Sequence, residues 1–128
     1  MGAPAIVLGD RITGLCTNHM VIGPLGAPVP SPVPLPFSAP ITTGIVPTVM
    51  IGGKPAAVVG AFGQNLPPHV GLHASDPFLA PPMEIGRIVS GSPTVMIGGK
   101  PAASQASTCT CCVVPGALVP TVLTVLIG

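Results

Sequence analysis

With 128 residues the chain has room for one compact unit, residues 1–128, and not for two ordinary ones. Its 17 Gly and 19 Pro point toward disorder, but 48% hydrophobic and 5% charged residues are the reverse of a disordered composition. A net charge of +1 leaves no electrostatic footprint for nucleic acid.

The first residues, Met-Gly-Ala-Pro-Ala, lack the basic and continuous apolar regions of a secretory signal, so synthesis in the cytoplasm is expected. Four Cys in that compartment favour metal or thiol chemistry over a disulfide framework. Cys16 and His19 come first, three residues apart. The segment 26–40 follows, with Pro at 28, 30, 32, 34, 36 and 40. It reads as a rigid loop of extended polyproline geometry that needs no partner strand, rather than as a ligand for an SH3-type domain.

The most specific feature is an exact repeat. Pro-Thr-Val-Met-Ile-Gly-Gly-Lys-Pro-Ala-Ala occupies residues 47–57 and again residues 93–103, and Thr124-Val125-Leu126-Ile127-Gly128 is a truncated third copy. Each Thr-Val-Met-Ile run is β-branched and bounded by Pro and Gly-Gly, which predicts a strand entering a primed hairpin turn. Lys54 and Lys100 then sit at the exposed bends. No window of helical length escapes Pro or Gly, so the predicted class is all-β. His69 and His73 lie between the repeats, and Cys109, Cys111 and Cys112 follow the second. Residues 113–128 carry no charge, but the stretch is shorter than the roughly 20 residues of a spanning helix and contains Pro115 and Pro120.

A tandem hairpin carrying this repeat resembles the PAAR-repeat family, whose members sharpen the spikes of type VI secretion systems, extracellular injection particles and some contractile phages. Gly9-Asp10 is similar to that family's Gly-Asp step, and Gly91-Ser92-Pro93-Thr94-Val95 to its strand entry. Val58 and Ser104 stand where the name-giving motif has Arg, which places the chain among PAAR-like relatives. The resemblance implies a short cone of three β-hairpin repeats with pseudo-threefold symmetry. It also implies a monomer whose apolar base docks on a trimeric VgrG-like β-helical spike. The resemblance further implies transient contact of the tip with a target membrane and a part in loading cargo effectors.

The three His and four Cys fall into three clusters, and imidazole with thiolate is the donor set of a closed, tetrahedral zinc site. From the residues alone the ligand set stays open: Cys16 has ligand spacing to His19 but reads more readily as packing, and Cys109 with Cys112 has redox-pair spacing without a βαβ setting. The resemblance implies one ion per chain, zinc or else iron, held by three His and one Cys. Carried over, these are His19, His69 and His73 with Cys111, Cys109 and Cys112 being alternates.

No catalytic residue is predicted, because Asp10, Asp76 and Glu84 lie in separate segments and no general acid–base pair is evident. The expectation is a structural spike tip that is not an enzyme. The rival readings are a metal-dependent secreted effector and a membrane-active protein.

Overall fold

The computed structural model describes residues 2–128; Met1, the first residue of the expected unit, lies outside the described residues. In chain order the strands are β1 (Ala3–Pro4), β2 (Arg11–Cys16), β3 (Met20–Ile22), β4 (Pro28–Pro30), β5 (Leu35–Pro40), β6 (Thr43–Ile51) and β7 (Lys54–Gln64). They continue as β8 (Ile85–Ile88), β9 (Met96–Ile97), β10 (Lys100–Pro101), β11 (Cys109–Cys111), β12 (Val114–Val119) and β13 (Leu126–Ile127). Two short 3-10 turns, Pro24–Gly26 and Pro81–Met83, are the helical content among the described residues. The all-β class is as predicted, and no described helix is long and apolar enough to cross a membrane.

The two full repeats fold into the hairpins their sequence predicts. β6 pairs with β7 through Ile51 opposite Lys54 and Met50 opposite Pro55, and β9 pairs with β10 through Ile97 opposite Lys100 and Met96 opposite Pro101. Both turns have positive φ at both central residues, 59° and 82° at Gly52 and Gly53, 60° and 81° at Gly98 and Gly99. Glycine takes these angles without steric cost, which is why Gly-Gly recurs there.

The third hairpin has a different construction. β13 finds its partner at the other end of the described chain, in β1, with Ile127 opposite Ala3 and Leu126 opposite Pro4. The register matches the other two hairpins residue for residue, so Ala3-Pro4-Ala5 plays the part of Lys54-Pro55-Ala56. The N-terminal half of this unit matches the first copy at Gly2, Pro4, Ala5, Val7 and Gly9, against Gly53, Pro55, Ala56, Val58 and Gly60, but it stands at the opposite end of the chain from its strand, so the two halves do not read as one repeat.

Burial repeats with the same period. Met50, Met96 and Leu126 are 56%, 58% and 58% exposed, while the next residues, Ile51, Ile97 and Ile127, are 8%, 8% and 9% exposed. The three isoleucines enter one apolar cluster with Ala5, Ala56 and Ala102. The following residues, Ile6, Ala57 and Ala103, point into the other cluster, beside Ile12, Phe37, Ile41 and Ile88, as alternation along a strand requires.

At these residues the three units interlock. Ala57 N–H donates to Ile6 O (2.9 Å), Ile6 N–H to Ala103 O (3.1 Å) and Ala103 N–H to Ala57 O (3.1 Å), a closed cycle of backbone hydrogen bonds. Bridges between Val7 and Ala56, Val58 and Ala102, and Ala5 and Ser104 run around the same cycle. Three backbones that meet this closely leave little side-chain volume, which gives a physical reason for Pro-Ala-Ala. Nearby, the buried Asp10 carboxylate accepts from Val7 N–H (2.9 Å), Thr121 N–H (3.1 Å) and Thr121 Oγ (2.6 Å), fastening the approach to β13 against the N-terminal unit.

The first of these hairpins is also the edge of a seven-stranded sheet that runs in the order β5-β2-β12-β11-β8-β7-β6 and curls around the second cluster. The Pro-rich segment departs from expectation here, since β4 pairs with β3 and β5 pairs with β2. Prolines two residues apart drop every missing N–H on the same side of a strand, so the other side keeps its donors. β5 is accordingly an edge strand, the position where Pro is tolerated. Among the described side chains the three acids are buried, and the exposed charges, Arg11, Lys54, Arg87 and Lys100, are all basic.

The hydrogen-bonded cycle sets a packing limit that can be measured. Ala103→Leu adds three carbons where Ile6 and Ala57 converge and should lower unfolding free energy by about 1–3 kcal/mol in chemical denaturation. The same change at exposed Ala106 should leave the midpoint within error.

Candidate metal centre

The site lies in the second cluster, where the residues joining β2 to β3, the segment between β7 and β8, and the β11–β12 turn come together. Cys16 ends β2, and His19 immediately precedes β3. His69 belongs to the 65–84 connection. Cys112 stands in the two-residue turn between β11 and β12. One donor atom from each of Cys16, His19, His69 and Cys112 lies within 4.8 Å of every other, a group that could hold a metal ion.

A locally unfavourable turn aims Cys112. Cys112 and Val113 have φ of 47° and 62°, the left-handed pair that a primed two-residue hairpin turn demands and that Asn-Gly usually supplies. Strand alternation buries Cys109 and Cys111 on one face of β11, and the turn then sends the Cys112 thiol toward His69, with Sγ 4.0 Å from Nε2. Cys111 instead lies beneath Gly14, where a Cβ would approach its Sγ to 2.6 Å, and its thiol points to the Pro115 carbonyl.

Two of the donors expected from the resemblance therefore stand apart from the group. Cys111 touches the Cys16 thiol from the strand below but is not one of the four, and neither is Cys109. His73 has both ring nitrogens occupied at the surface: Nδ1 accepts from Ser75 N–H (3.0 Å), and Nε2 donates to Gly26 O (3.0 Å). It works as a clasp between two loops. Cys16 takes the remaining place, although its sequence reads more readily as packing. The signal that could have found it was its three-residue spacing to His19.

The acids are also less scattered than the sequence suggests. Asp76 and Glu84 both reach the histidines, whereas Asp10 belongs to the fastening described above. His19 Nδ1 is 3.1 Å from Asp76 Oδ2, with both side chains fully buried. Glu84 Oε1 accepts from Asn65 Nδ2 and His69 N–H, each at 2.9 Å, and lies 3.8 Å from His69 Nε2. Among the described residues two buried side-chain polar atoms have no partner, His19 Nε2 and Glu84 Oε2. An unpartnered imidazole nitrogen inside a His2Cys2 group is what a metal ligand looks like without its ion, because an orphaned buried acceptor is otherwise costly. By chemistry and by this orphan, the residues present fit a tetrahedral metal.

Protonation of the thiols completes the electrostatics. The Cys111 contact favours the Cys16 thiolate, but the Cys112 contact, burial and the charges of Cys112 and Glu84 outweigh it, pushing the Cys16 thiol up to about 12. Burial, then Cys111, pushes Cys109 to about 11. Cys111 is raised by its contact with Cys16 and by burial. Burial lowers His69, against the opposing pull of Glu84, and so favours the neutral, ligating imidazole. The four cysteines are free.

With this geometry in view, the comparisons identify the class. The family model of the PAAR motif matches residues 37–114, and the chain belongs to the PAAR-motif family. That motif is known from spike-tip proteins of contractile injection systems, and the family is structural rather than catalytic. Comparison with curated proteins and with solved structures gave no match.

Two outcomes are expected. Purified protein should hold one divalent transition metal per chain, as read by elemental analysis. Cys16→Ser or Cys112→Ser should lose it while His73→Ala and Cys111→Ser retain it. Separately, Val113→Gly relieves a left-handed β-branched residue at an exposed turn and should raise unfolding free energy by about 1 kcal/mol.

Proposed function

We propose that this protein is the structural tip of a contractile injection system, docking as a single copy on a trimeric VgrG-like β-helical spike and sharpening it for passage through a target envelope. The single observation carrying this reading is the threefold repetition of register and exposure: Met50, Met96 and Leu126 form equivalent apolar positions on three equivalent hairpins. A partner with three identical chains presents three equivalent surfaces, and one chain that repeats the same apolar position three times can satisfy all of them. Removing these side chains from water supplies the driving force, on the order of 25 cal/mol per Å2 of apolar surface.

The centre formed by Cys16, His19, His69 and Cys112 is read as a zinc site, with iron as the alternative, that pins the cone by tying together the three connecting segments that supply its donors. Four protein donors leave zinc no open position for substrate or water, which supports a mechanical rather than catalytic role. This assignment replaces the set implied by family resemblance, with Cys16 and Cys112 in place of His73 and Cys111.

The test is a triple variant, Met50→Lys, Met96→Lys and Leu126→Lys, in a pull-down with the spike trimer. Loss of capture with unchanged metal content and melting temperature is the expected result, and native mass spectrometry of the wild-type complex should show one copy per trimer. Wild-type capture by the triple variant, or three copies per trimer, would sink the proposal.

A further inference from the structure

Asp76 lies in the same 65–84 connection as His69, and it is tied to the centre by three hydrogen bonds. Its Oδ2 accepts from Met20 N–H (2.7 Å) and faces His19 Nδ1 (3.1 Å), while its Oδ1 accepts from Phe78 N–H (2.7 Å). The side chain is fully buried. Burial by itself would raise the carboxyl, but the Met20 and Phe78 amides and His19 outweigh it and hold Asp76 below the ordinary carboxylate range.

A carboxylate accepts and cannot donate, so the hydrogen between Asp76 and His19 belongs to Nδ1. In the neutral ring the lone pair is then on Nε2, the atom left without a protein partner. Ring orientation is controlled as well. His19 meets Phe78 edge-on at 5.4 Å between centroids and 88° between planes, and His69 at 4.5 Å and 65°. Phe78 is the residue whose amide Asp76 holds, and Met20 directly follows His19. One carboxylate therefore governs the tautomer of His19, the backbone beside it and the ring against it.

We infer that Asp76 is the positioning residue of the centre, holding His19 as the Nδ1–H tautomer with Nε2 presented to a bound metal. The inference rests on the metal reading above and adds to it an outer partner of the kind that orients metal-bound imidazoles and raises their basicity. Glu84 differs from Asp76, since it fastens the His69 backbone and approaches Nε2 rather than Nδ1.

Asp76→Asn tests this with little change of shape. An amide has one acceptor oxygen for the two backbone N–H groups, and its NH2 can donate to Nδ1, which favours the opposite tautomer with Nε2 protonated. Competition titration with zinc and a chromophoric chelator should show affinity lower by about 10–100-fold in the Asn variant. Cobalt absorption should remain tetrahedral, and Asp76→Glu should recover part of the loss. Because the Asn variant could fail to fold, long-range proton–nitrogen NMR of zinc-loaded wild-type protein provides a measurement that needs no variant. The His19 ring proton is expected on Nδ1. A proton on Nε2, or zinc affinity within twofold of wild type in folded Asp76→Asn, overturns the positioning role and leaves the metal site standing. Failure of wild-type protein to bind zinc or cobalt overturns both readings together.

Discussion

Three backbone hydrogen bonds close a cycle, from Ala57 to Ile6, from Ile6 to Ala103 and from Ala103 back to Ala57, and the three hairpins are organised around it. Buried amides need partners, and here each unit's donor is satisfied by the next unit rather than by itself. No unit can leave without stranding groups on both neighbours. The cycle also limits the side chains nearby, which explains why alanine recurs in two copies of the motif. Ile6 is the larger third member, and its bulk goes into the apolar cluster under the sheet.

From that cycle the chain is polarised. On one side the isoleucines at 51, 97 and 127 close a small apolar cluster, while the residues preceding them stay exposed. On the other, the curled sheet encloses Phe37, Ile12 and Ile88, and then gives way to His19, His69, Asp76 and Glu84. The two carboxylates there are held by the hydrogen bonds they accept, Asp76 from the Met20 and Phe78 amides and Glu84 from the His69 amide and the Asn65 side chain. The strained Cys112–Val113 turn belongs to the same end: left-handed backbone at non-glycine residues persists where surrounding structure enforces it, and here it aims a donor.

Basic side chains supply every exposed charge among the described residues, although the formal net charge is only +1. Composition alone could not reveal this, because it counts Asp10, Asp76 and Glu84 as if they were at the surface. Each has instead become a hydrogen-bond hub: Asp10 fastens Thr121, Asp76 orients His19, and Glu84 holds Asn65 and His69.

The hairpins were legible in sequence because their determinants are local. A β-branched run followed by Gly-Gly specifies strand and primed turn without help from distant residues, and an exact repeat shows that the structure recurs. The donor types were legible too, since three His and four Cys in so uncharged a chain point to a soft, closed metal site. What the sequence could not decide was which donors meet. Cys111 and Cys112 are adjacent, and their separation into packing and site depends on a turn whose left-handed angles no local residue preference announces. His73 was diverted by Ser75 and Gly26, a contact between loops 47 residues apart. The partner of the last strand, at Ala3 and Pro4, and the partners of the Pro-rich segment were likewise tertiary outcomes. Contacts between residues remote in the chain enter each of these outcomes, His73 with Gly26, Cys112 with His69 and Ala3 with Ile127, and only the closed fold sets which of several chemically suitable groups lie within bonding distance.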